Sequence, residues 1–137
     1  MKIFGIGTDI VKISRIKKSI KNRLLVTRLF NKDEILKCKK LKNSSNCYAK
    51  RYAAKEAFSK ALGTGIAKGI YFNEIVILNE KNGKPFIKLI NRTKKKVENN
   101  TNIFENILFE PLKISKGSTE FPSDFDIFFP LSVNILE

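Results

Sequence analysis

The feature that most constrains the fold is the stretch from Ala49 to Gly65, AKRYAAKEAFSKALGTG. Alanine, leucine, lysine and glutamate are strong helix formers, so the stretch predicts a helix that begins near Asn46 or Cys47. Gly63 and Gly65 should end it, because glycine adopts the left-handed conformation that a helix C-terminus needs. We expect the rest of the chain to pack around this helix.

The predicted helix has one apolar face and one unusual polar face. The apolar stripe should face a core and consists of Ala54, Phe58, Ala61 and Leu62. The polar side carries Tyr52, Glu56, Ser59, Lys60 and Gly63, and it is flanked by Ala49, Ala53 and Ala57. Small alanine side chains would let another backbone come close. A carboxylate and an ammonium one turn apart on such a face indicate a site.

The length of 137 residues indicates one domain, residues 1–137, with room for a modest core. The 42% hydrophobic and 29% charged shares are typical of a soluble globular protein. No apolar run approaches the ~20 residues that span a bilayer. The N-terminal apolar run is interrupted by Asp9 and is too short for a secretory signal, so we expect neither a membrane protein nor a secreted one.

The net charge of +14 is unevenly distributed. Residues 1–97 hold 25 basic and 6 acidic residues, whereas residues 98–137 hold 2 and 7. The first part should attract an anionic partner such as a phosphate ligand, nucleic acid or an acidic protein. Lysine far outnumbers arginine, however, and asparagine and isoleucine are abundant. An A+T-rich coding sequence produces the same pattern, so solvated surface lysines are an equal alternative.

Cys38 and Cys47 lie in a lysine-rich segment of a chain that has no histidine. Two thiols without further ligands do not make a structural zinc site. Because the chain has no secretory context, we predict free thiols rather than a disulfide.

The N-terminus predicts a buried strand over residues 2–6, and Gly5 and Gly7 leave its surface bare for close approach. Asp9 stands directly at the end of this strand. Thr8 or Asp9 has an alternative role as the N-cap of the next helix.

Two helices should come next. Residues 14–30 are amphipathic and basic, which suits either a solvated face or docking to an acidic protein. Residues 31–42 form a second helical pattern, in which Asn31 is a plausible cap and Glu34 lies three residues on.

The second half predicts mainly strands. Asn82-Gly83 is the strongest hairpin signal, and it separates strand-like residues 74–78 from residues 86–90. The remaining predictions are a strand over 69–72, a short helix over 93–98, strands over 107–109 and 112–115, a loop over 116–126 and a last strand over 128–136, in which Pro130 suggests a start or an edge.

Two of these stretches resemble one family. Gly5-Ile6-Gly7-Thr8-Asp9-Ile10-Val11, with Arg15-Ile16 shortly after it, resembles the N-terminal signature GIGTDIV…RI of the holo-[acyl-carrier-protein] synthase family. Residues 52–66 resemble its second signature, FAAKEAFxKALGTGI, and Asn82-Gly83-Lys84-Pro85 matches a third, weaker element. The matches span residues 1 to about 90, in the family's order.

The resemblance implies an α+β fold, with a small antiparallel sheet packed against helices. It implies a 4′-phosphopantetheinyl transferase that moves this group from coenzyme A to a serine of apo acyl carrier protein and releases adenosine 3′,5′-bisphosphate. The family requires magnesium, is typically a homotrimer with shared active sites, and serves type-II fatty acid and lipid biosynthesis. That role and the composition fit a bacterial cytoplasm or a plastid-type organelle, with no nucleic acid or membrane as partner.

The resemblance also assigns residues. Asp9 and Glu56 match the metal-binding carboxylates, which suit magnesium because it favours oxygen ligands. Lys60 matches a catalytic lysine near the phosphates, and its alternative role is an i, i+4 partner of Glu56 worth ~0.3–0.5 kcal/mol. Either Glu56 or a metal-bound water would take the proton of the carrier serine. Arg15 matches an arginine that holds the carrier protein.

The resemblance also implies a coenzyme A site that involves Arg51, Lys60 and Gly63 and, more weakly, Asn82, Lys84 and Pro85 of the hairpin turn. The C-terminal third departs from the family, because a Ser-x-Ser-His element is usual there. Residues 114–118 are its nearest counterpart, and Lys116 is a candidate to replace the histidine.

Two other functions compete with transfer. A basic nucleic-acid-binding module would explain the charge, but no helix-turn-helix, zinc-finger or aromatic RNA-binding motif supports it. A catalytically degenerate relative that only binds coenzyme A would explain the missing histidine. Intact Asp9, Glu56 and Lys60 argue against it.

Overall fold

The computed structural model describes residues 2–63, 69–100, 107–111 and 127–135. The strand and loop predicted over 112–126 lie outside these residues. The chain forms β1 (Lys2–Val11), α1 (Ile13–Ser19), α2 (Arg23–Leu29), α3 (Lys32–Lys39), α4 (Ser44–Ala61), a 3₁₀ turn (Phe72–Glu74), β2 (Ile75–Asn79), β3 (Pro85–Leu89), α5 (Asn91–Asn100), β4 (Ile107–Pro111) and β5 (Ile127–Ile135).

The strands form two small antiparallel sheets. In the first, β5 lies between β1 and β4; the second is the β2–β3 hairpin. This α+β architecture confirms the predicted fold class. Of the helices in the described segments, none has the length and apolar character needed to cross a membrane.

Helix α4 lies at the centre, as predicted, and both core clusters are built on it. One half of α4 packs with the short helices through Tyr48, Ala49 and Ala53, and the other half packs with the hairpin through Ala54, Phe58 and Ala61. Of the four predicted apolar positions, Ala54, Phe58 and Ala61 are buried, and Leu62 is partly buried beside them.

Strand β1 crosses α4 with its backbone in contact with the helix. A Cβ added to Gly7 would collide with the carbonyl oxygen of Ala57 and come within 2.7 Å of the Ala61 nitrogen. A Cβ on Gly5 would collide with the carbonyl oxygen of Ala61. The bare strand surface and the alanine-flanked helix therefore face each other, as the sequence predicted.

The strand prediction for β1 was too short. β1 continues through Asp9 to Val11 because residues 5–11 pair with residues 127–133 of β5, a contact that the local sequence does not encode. The alternative role of Thr8 or Asp9 as an N-cap is wrong. The N-cap of α1 is Lys12, whose side chain makes no capping hydrogen bond.

The single helix predicted over residues 14–30 is also wrong. The chain breaks between Ser19 and Arg23, and α2 restarts with Asn22 as its N-cap, the Asn22 side chain accepting a hydrogen bond from the Leu25 amide at 3.2 Å. The Asn22 side chain thus supplies the acceptor that a backbone carbonyl would supply to the Leu25 amide in a continuous helix. In α3, by contrast, the predicted capping box of Asn31 and Glu34 is confirmed.

The prediction of free thiols is wrong, because Cys38 and Cys47 form a disulfide. The end of α3 and the start of α4 fold against each other, which brings the two Cα atoms to 5.4 Å, within the range a disulfide needs. Helix α4 itself begins slightly earlier than predicted, at Ser44, with Asn43 as its cap.

The predicted strand over 69–72 is wrong: residues 69–71 belong to no strand, and Phe72 begins the 3₁₀ turn. The hairpin is confirmed, with Asn79 paired to Pro85 and Gly83 at φ +88°. The predicted short helix is α5. β5 is a central strand. Among the described residues its last pair with β4 is at Leu131, and Pro130 is paired with Thr8 of β1.

A buried ion pair joins the helices to the hairpin. Lys55 and Glu34 are both fully buried, and their Nζ and Oε2 atoms are 2.6 Å apart. Lys55 Nζ also donates to the carbonyl oxygens of Leu29 (2.7 Å) and Phe72 (2.9 Å). Glu34 accepts from the backbone amides of Asn31 and Ile77. Burial lowers the pKa of Lys55 to about 8, although Glu34 opposes the shift.

Candidate active site

Asp9 and Lys60 join β1 to α4. The Asp9 side chain is only 14% exposed, and Lys60 Nζ lies 2.8 Å from its Oδ1. Lys60 also donates to the carbonyl oxygen of Thr8 at 3.0 Å. The expected alternative partner of Lys60, Glu56 one turn earlier, is not its partner, because the strand crossing the helix presents Asp9 instead.

Glu56 is held by a neighbour on its own helix. The hydroxyl of Tyr52, one turn earlier, donates to Glu56 Oε1 at 3.0 Å. Burial and then the negative charge of Glu56 raise the pKa of Tyr52 to about 12. The Tyr52 hydroxyl therefore keeps its proton and remains a donor at neutral pH.

The two carboxylates open into one cleft. Asp9, Glu56, Tyr52 and Arg15 line a cavity of about 730 Å³ between β1, the short helices and α4. Its remaining wall includes the apolar residues Val11, Ile16, Leu25 and Leu29. The cleft thus combines acids, one exposed arginine and an apolar surface.

The donor set of this cleft fits a hard divalent cation. One oxygen of each carboxylate is engaged, Oδ1 of Asp9 by Lys60 and Oε1 of Glu56 by Tyr52, and the other oxygen of each receives no hydrogen bond from a described residue. No third acidic or cysteine side chain joins them within the described residues. Magnesium commonly binds through one or two carboxylates and completes its shell with water and phosphate oxygens.

The residues expected to bind coenzyme A are dispersed. Gly63 comes directly after α4 and its C-cap at φ +69°, which agrees with its predicted role in ending the helix. Arg51 is buried, its Nη1 donates to the Cys47 carbonyl and sulfur, and its buried Nε and Nη2 atoms make no hydrogen bond to a described residue. Burial lowers the pKa of Arg51.

The hairpin residues Asn82, Lys84 and Pro85 lie in and beside the β2–β3 turn, and none of them lines the cleft. The Asn82 side chain accepts from the Lys84 amide at 2.9 Å and so shapes the turn. Asp9, Glu56, Lys60 and Arg15 therefore form one group in the structure, whereas Arg51 and the hairpin stand apart from it.

Sequence reasoning missed two features of this region. It placed Tyr52 on the polar face of α4 without giving it a role, although its position one turn before Glu56 is the signal for a side-chain contact. It overlooked the Lys55–Glu34 pair, which joins residues of two separate helices and has no local signal.

This chain belongs to the 4′-phosphopantetheinyl transferase superfamily, whose family model matches residues 5–108. Within that superfamily its relatives include holo-[acyl-carrier-protein] synthases. The protein of that name from Pelagibacter ubique is 49% identical over 98 residues, which cover 72% of this chain and 77% of the relative.

Solved structures of the same enzyme share the fold. The holo-[acyl-carrier-protein] synthase of Neisseria meningitidis superposes with a TM-score of 0.76 at 29% identity, over 96% of this chain and 98% of that one. The Helicobacter pylori enzyme, solved in complex with coenzyme A, has a TM-score of 0.64 at 30% identity, over 96% of this chain and 99% of that one.

Proposed function

We infer that this chain transfers the 4′-phosphopantetheine group of coenzyme A to a serine of apo acyl carrier protein, the reaction of a holo-[acyl-carrier-protein] synthase. The serine oxygen forms a bond to the β-phosphorus, the bond from that phosphorus to the bridging oxygen breaks, and adenosine 3′,5′-bisphosphate leaves. The serine proton passes to a base, for which either Glu56 or a water molecule would serve.

One observation carries this proposal: Asp9 of β1 and Glu56 of α4 line a single cleft, and Lys60 of α4 is paired with Asp9. We propose that Asp9 and Glu56 hold the magnesium ion that the reaction requires. When bound, the ion would neutralise charge on the pyrophosphate and the departing oxygen. In phosphoryl transfer such positioning and electrostatics supply most of the catalysis.

Lys60 would act beside the carboxylates. Its ammonium is half-exposed and already oriented by Asp9 and the Thr8 carbonyl, so it presents a fixed positive charge to a pyrophosphate group. Arg51, Gly63, Asn82, Lys84 and Pro85 remain predicted contacts of coenzyme A.

We propose that the carrier protein docks beside Arg15. Arg15 is exposed, lines the cleft and continues into the basic surface of α1, with Lys17 and Lys18 in its last turn. An acidic protein surface would be attracted there. Arg15→Glu should raise the KM for carrier protein more than the KM for coenzyme A.

We further propose a homotrimer. Two large apolar side chains on the outward face of β1, Ile6 and Ile10, are 57% and 45% exposed. A second copy of the chain would cover them. Ile6→Glu should shift the mass measured by light scattering to that of one chain, whereas Leu24→Glu, at an exposed leucine of α2, should leave the assembly intact. The compartment, a bacterial cytoplasm or a plastid-type organelle, stays a prediction.

Mass spectrometry of apo acyl carrier protein incubated with coenzyme A and magnesium tests the transfer. The wild-type chain should add the phosphopantetheine mass, and removal of magnesium with a chelator should stop the addition. Asp9→Asn and Glu56→Gln should each abolish turnover, whereas the exposed carboxylate variant Asp33→Asn should retain it. No added mass with magnesium present would refute the proposed function.

A further inference from the structure

Tyr52 lines the cleft, and the transfer reaction gives it no role. Its hydroxyl donates to Glu56 Oε1 at 3.0 Å, and its side chain lines the same cleft as Asp9. We propose that Tyr52 is a positioning residue that holds the Glu56 carboxylate and leaves its second oxygen for the metal. This inference rests on the proposed function, because it assigns the support of that function's metal ligand.

The Glu56 carboxylate needs a partner because its side chain is flexible. A glutamate has three rotatable bonds, and Glu56 is only partly buried at the side of an open cleft. Without a fixed partner its carboxylate would occupy several rotamers, of which few direct an oxygen to a metal shared with Asp9. A hydrogen bond to one oxygen removes that freedom and keeps the other oxygen available.

Tyr52 is itself well fixed. Its ring packs against the ring of Phe72, with centroids 5.6 Å apart, and Phe72 is buried. The carbonyl oxygen of Phe72 accepts from Lys55 Nζ at 2.9 Å, which ties this segment to α4. The hydroxyl is therefore delivered to Glu56 by a rigid support and not by a mobile surface side chain.

The hydrogen bond made by the hydroxyl and the packing of the ring can be tested separately. Tyr52→Phe removes one oxygen and changes no charge, so Asp9, Arg15 and Glu56 keep theirs.

Binding of Mn²⁺, measured by electron paramagnetic resonance with adenosine 3′,5′-bisphosphate present, tests the proposal without any turnover. Partners that orient a metal ligand typically affect metal affinity about 10–100-fold. Tyr52→Phe should raise the dissociation constant for Mn²⁺ about tenfold. Tyr71→Phe, at an exposed tyrosine outside the cleft, is the matched control and should leave it unchanged.

Kinetics provide the second measurement. Tyr52→Phe should raise the Mg²⁺ concentration for half-maximal transfer about tenfold, by the same factor as for Mn²⁺. Saturating Mg²⁺ should restore kcat, and the KM for carrier protein should not change. A loss of kcat that Mg²⁺ does not restore would overturn the positioning role.

A double-mutant cycle separates positioning from a general loss of structure. In a Glu56→Gln background, Tyr52→Phe should have no further effect on Mn²⁺ affinity, because the oriented ligand is already gone. Additive effects, or an unchanged Mn²⁺ affinity in the single variant, would refute the proposal. If the wild type transferred nothing but the Mn²⁺ results held, the proposed function alone would fail.

Discussion

Helix α4 carries two lysines little more than one turn apart whose ion pairs have opposite surroundings. Lys55 and Glu34 are fully buried, whereas the Lys60 side chain, paired with Asp9, is 51% exposed. Lys55 donates to one carboxylate and two carbonyls, which uses all three of its hydrogens. Lys60 makes two such bonds among the described residues and reaches solvent.

The difference in burial indicates which of the two lysines supports the fold and which is accessible to a ligand. A buried lysine with all donors satisfied has nothing to offer a ligand, but it fixes α4 against α3 and the hairpin. A half-exposed lysine stabilises little, yet its charge is available to a phosphate. The same residue type on the same helix therefore stabilises the fold at Lys55 and, in the function that we propose, serves the reaction at Lys60.

Lys55→Met should cause the largest change in stability. It leaves the Glu34 carboxylate buried without its counter-charge, which typically costs ~3–5 kcal/mol. Urea unfolding measures this cost, and Lys50→Met, at an exposed lysine of the same helix, is the control. A loss below ~1 kcal/mol, the range of exposed pairs, would remove the distinction between the two lysines.

Replacing both partners of the buried pair should not restore stability. An isolated buried pair can often be replaced by apolar residues at little cost. Here Lys55→Met with Glu34→Leu would also take their partner from two backbone amides, those of Asn31 and Ile77, and from the Leu29 carbonyl, at about 1–3 kcal/mol each where they stay buried. Full recovery in the double variant would show that those backbone bonds contribute nothing.

Lys60→Met should reduce turnover and leave stability nearly unchanged, the reverse of what we expect for Lys55→Met. We expect turnover to fall about 100-fold, as for other preorganised charges that stabilise a transition state. The free energy of unfolding should change by less than ~1 kcal/mol, because the pair is half-exposed. Lys94→Met, which breaks the exposed Lys94–Glu98 pair, should alter neither quantity appreciably.

Gly7→Ala tests the contact that brings Asp9 to α4. The added methyl group meets backbone atoms that cannot rotate away, so we expect a loss of about 1–3 kcal/mol together with reduced turnover. Thr8→Ala, at an exposed position of the same strand, is the control. Wild-type turnover in Gly7→Ala would show that the site tolerates a separation of β1 from α4.

Alkaline pH should change the contribution of Lys55 to stability. The pKa of Lys55 falls from 10.5 to about 8 on folding, so between these values the unfolded chain binds more protons than the folded one. Stability must then rise with pH. Relative to Lys55→Met, the wild type should gain about 1 kcal/mol between pH 7 and pH 9. If the difference in stability between the wild type and Lys55→Met did not change with pH, the lowered pKa of Lys55 would be contradicted.

The features predicted correctly have local signals. The α4 pattern with Gly63, the capping box of Asn31 and Glu34, and the Asn82-Gly83 turn are each read from adjacent residues. The errors involve distant partners. Pairing with β5 extends β1 past Asp9, and the fold of α3 against α4 brings the two cysteines together. The Asp9–Glu56–Lys60 group was anticipated from motifs, but the Tyr52 bond required a structure.

The backbone contact between β1 and α4 has a consequence for how this chain can vary. Because Gly7 rests directly on main-chain atoms of Ala57 and Ala61, no side-chain volume sets the spacing between the strand that bears Asp9 and the helix that bears Glu56. Substitutions elsewhere in the core can change size without resetting that spacing. The composition of the chain can thus drift toward lysine, asparagine and isoleucine. The separation of Asp9 and Glu56 is kept as long as Gly7, Ala57 and Ala61 remain.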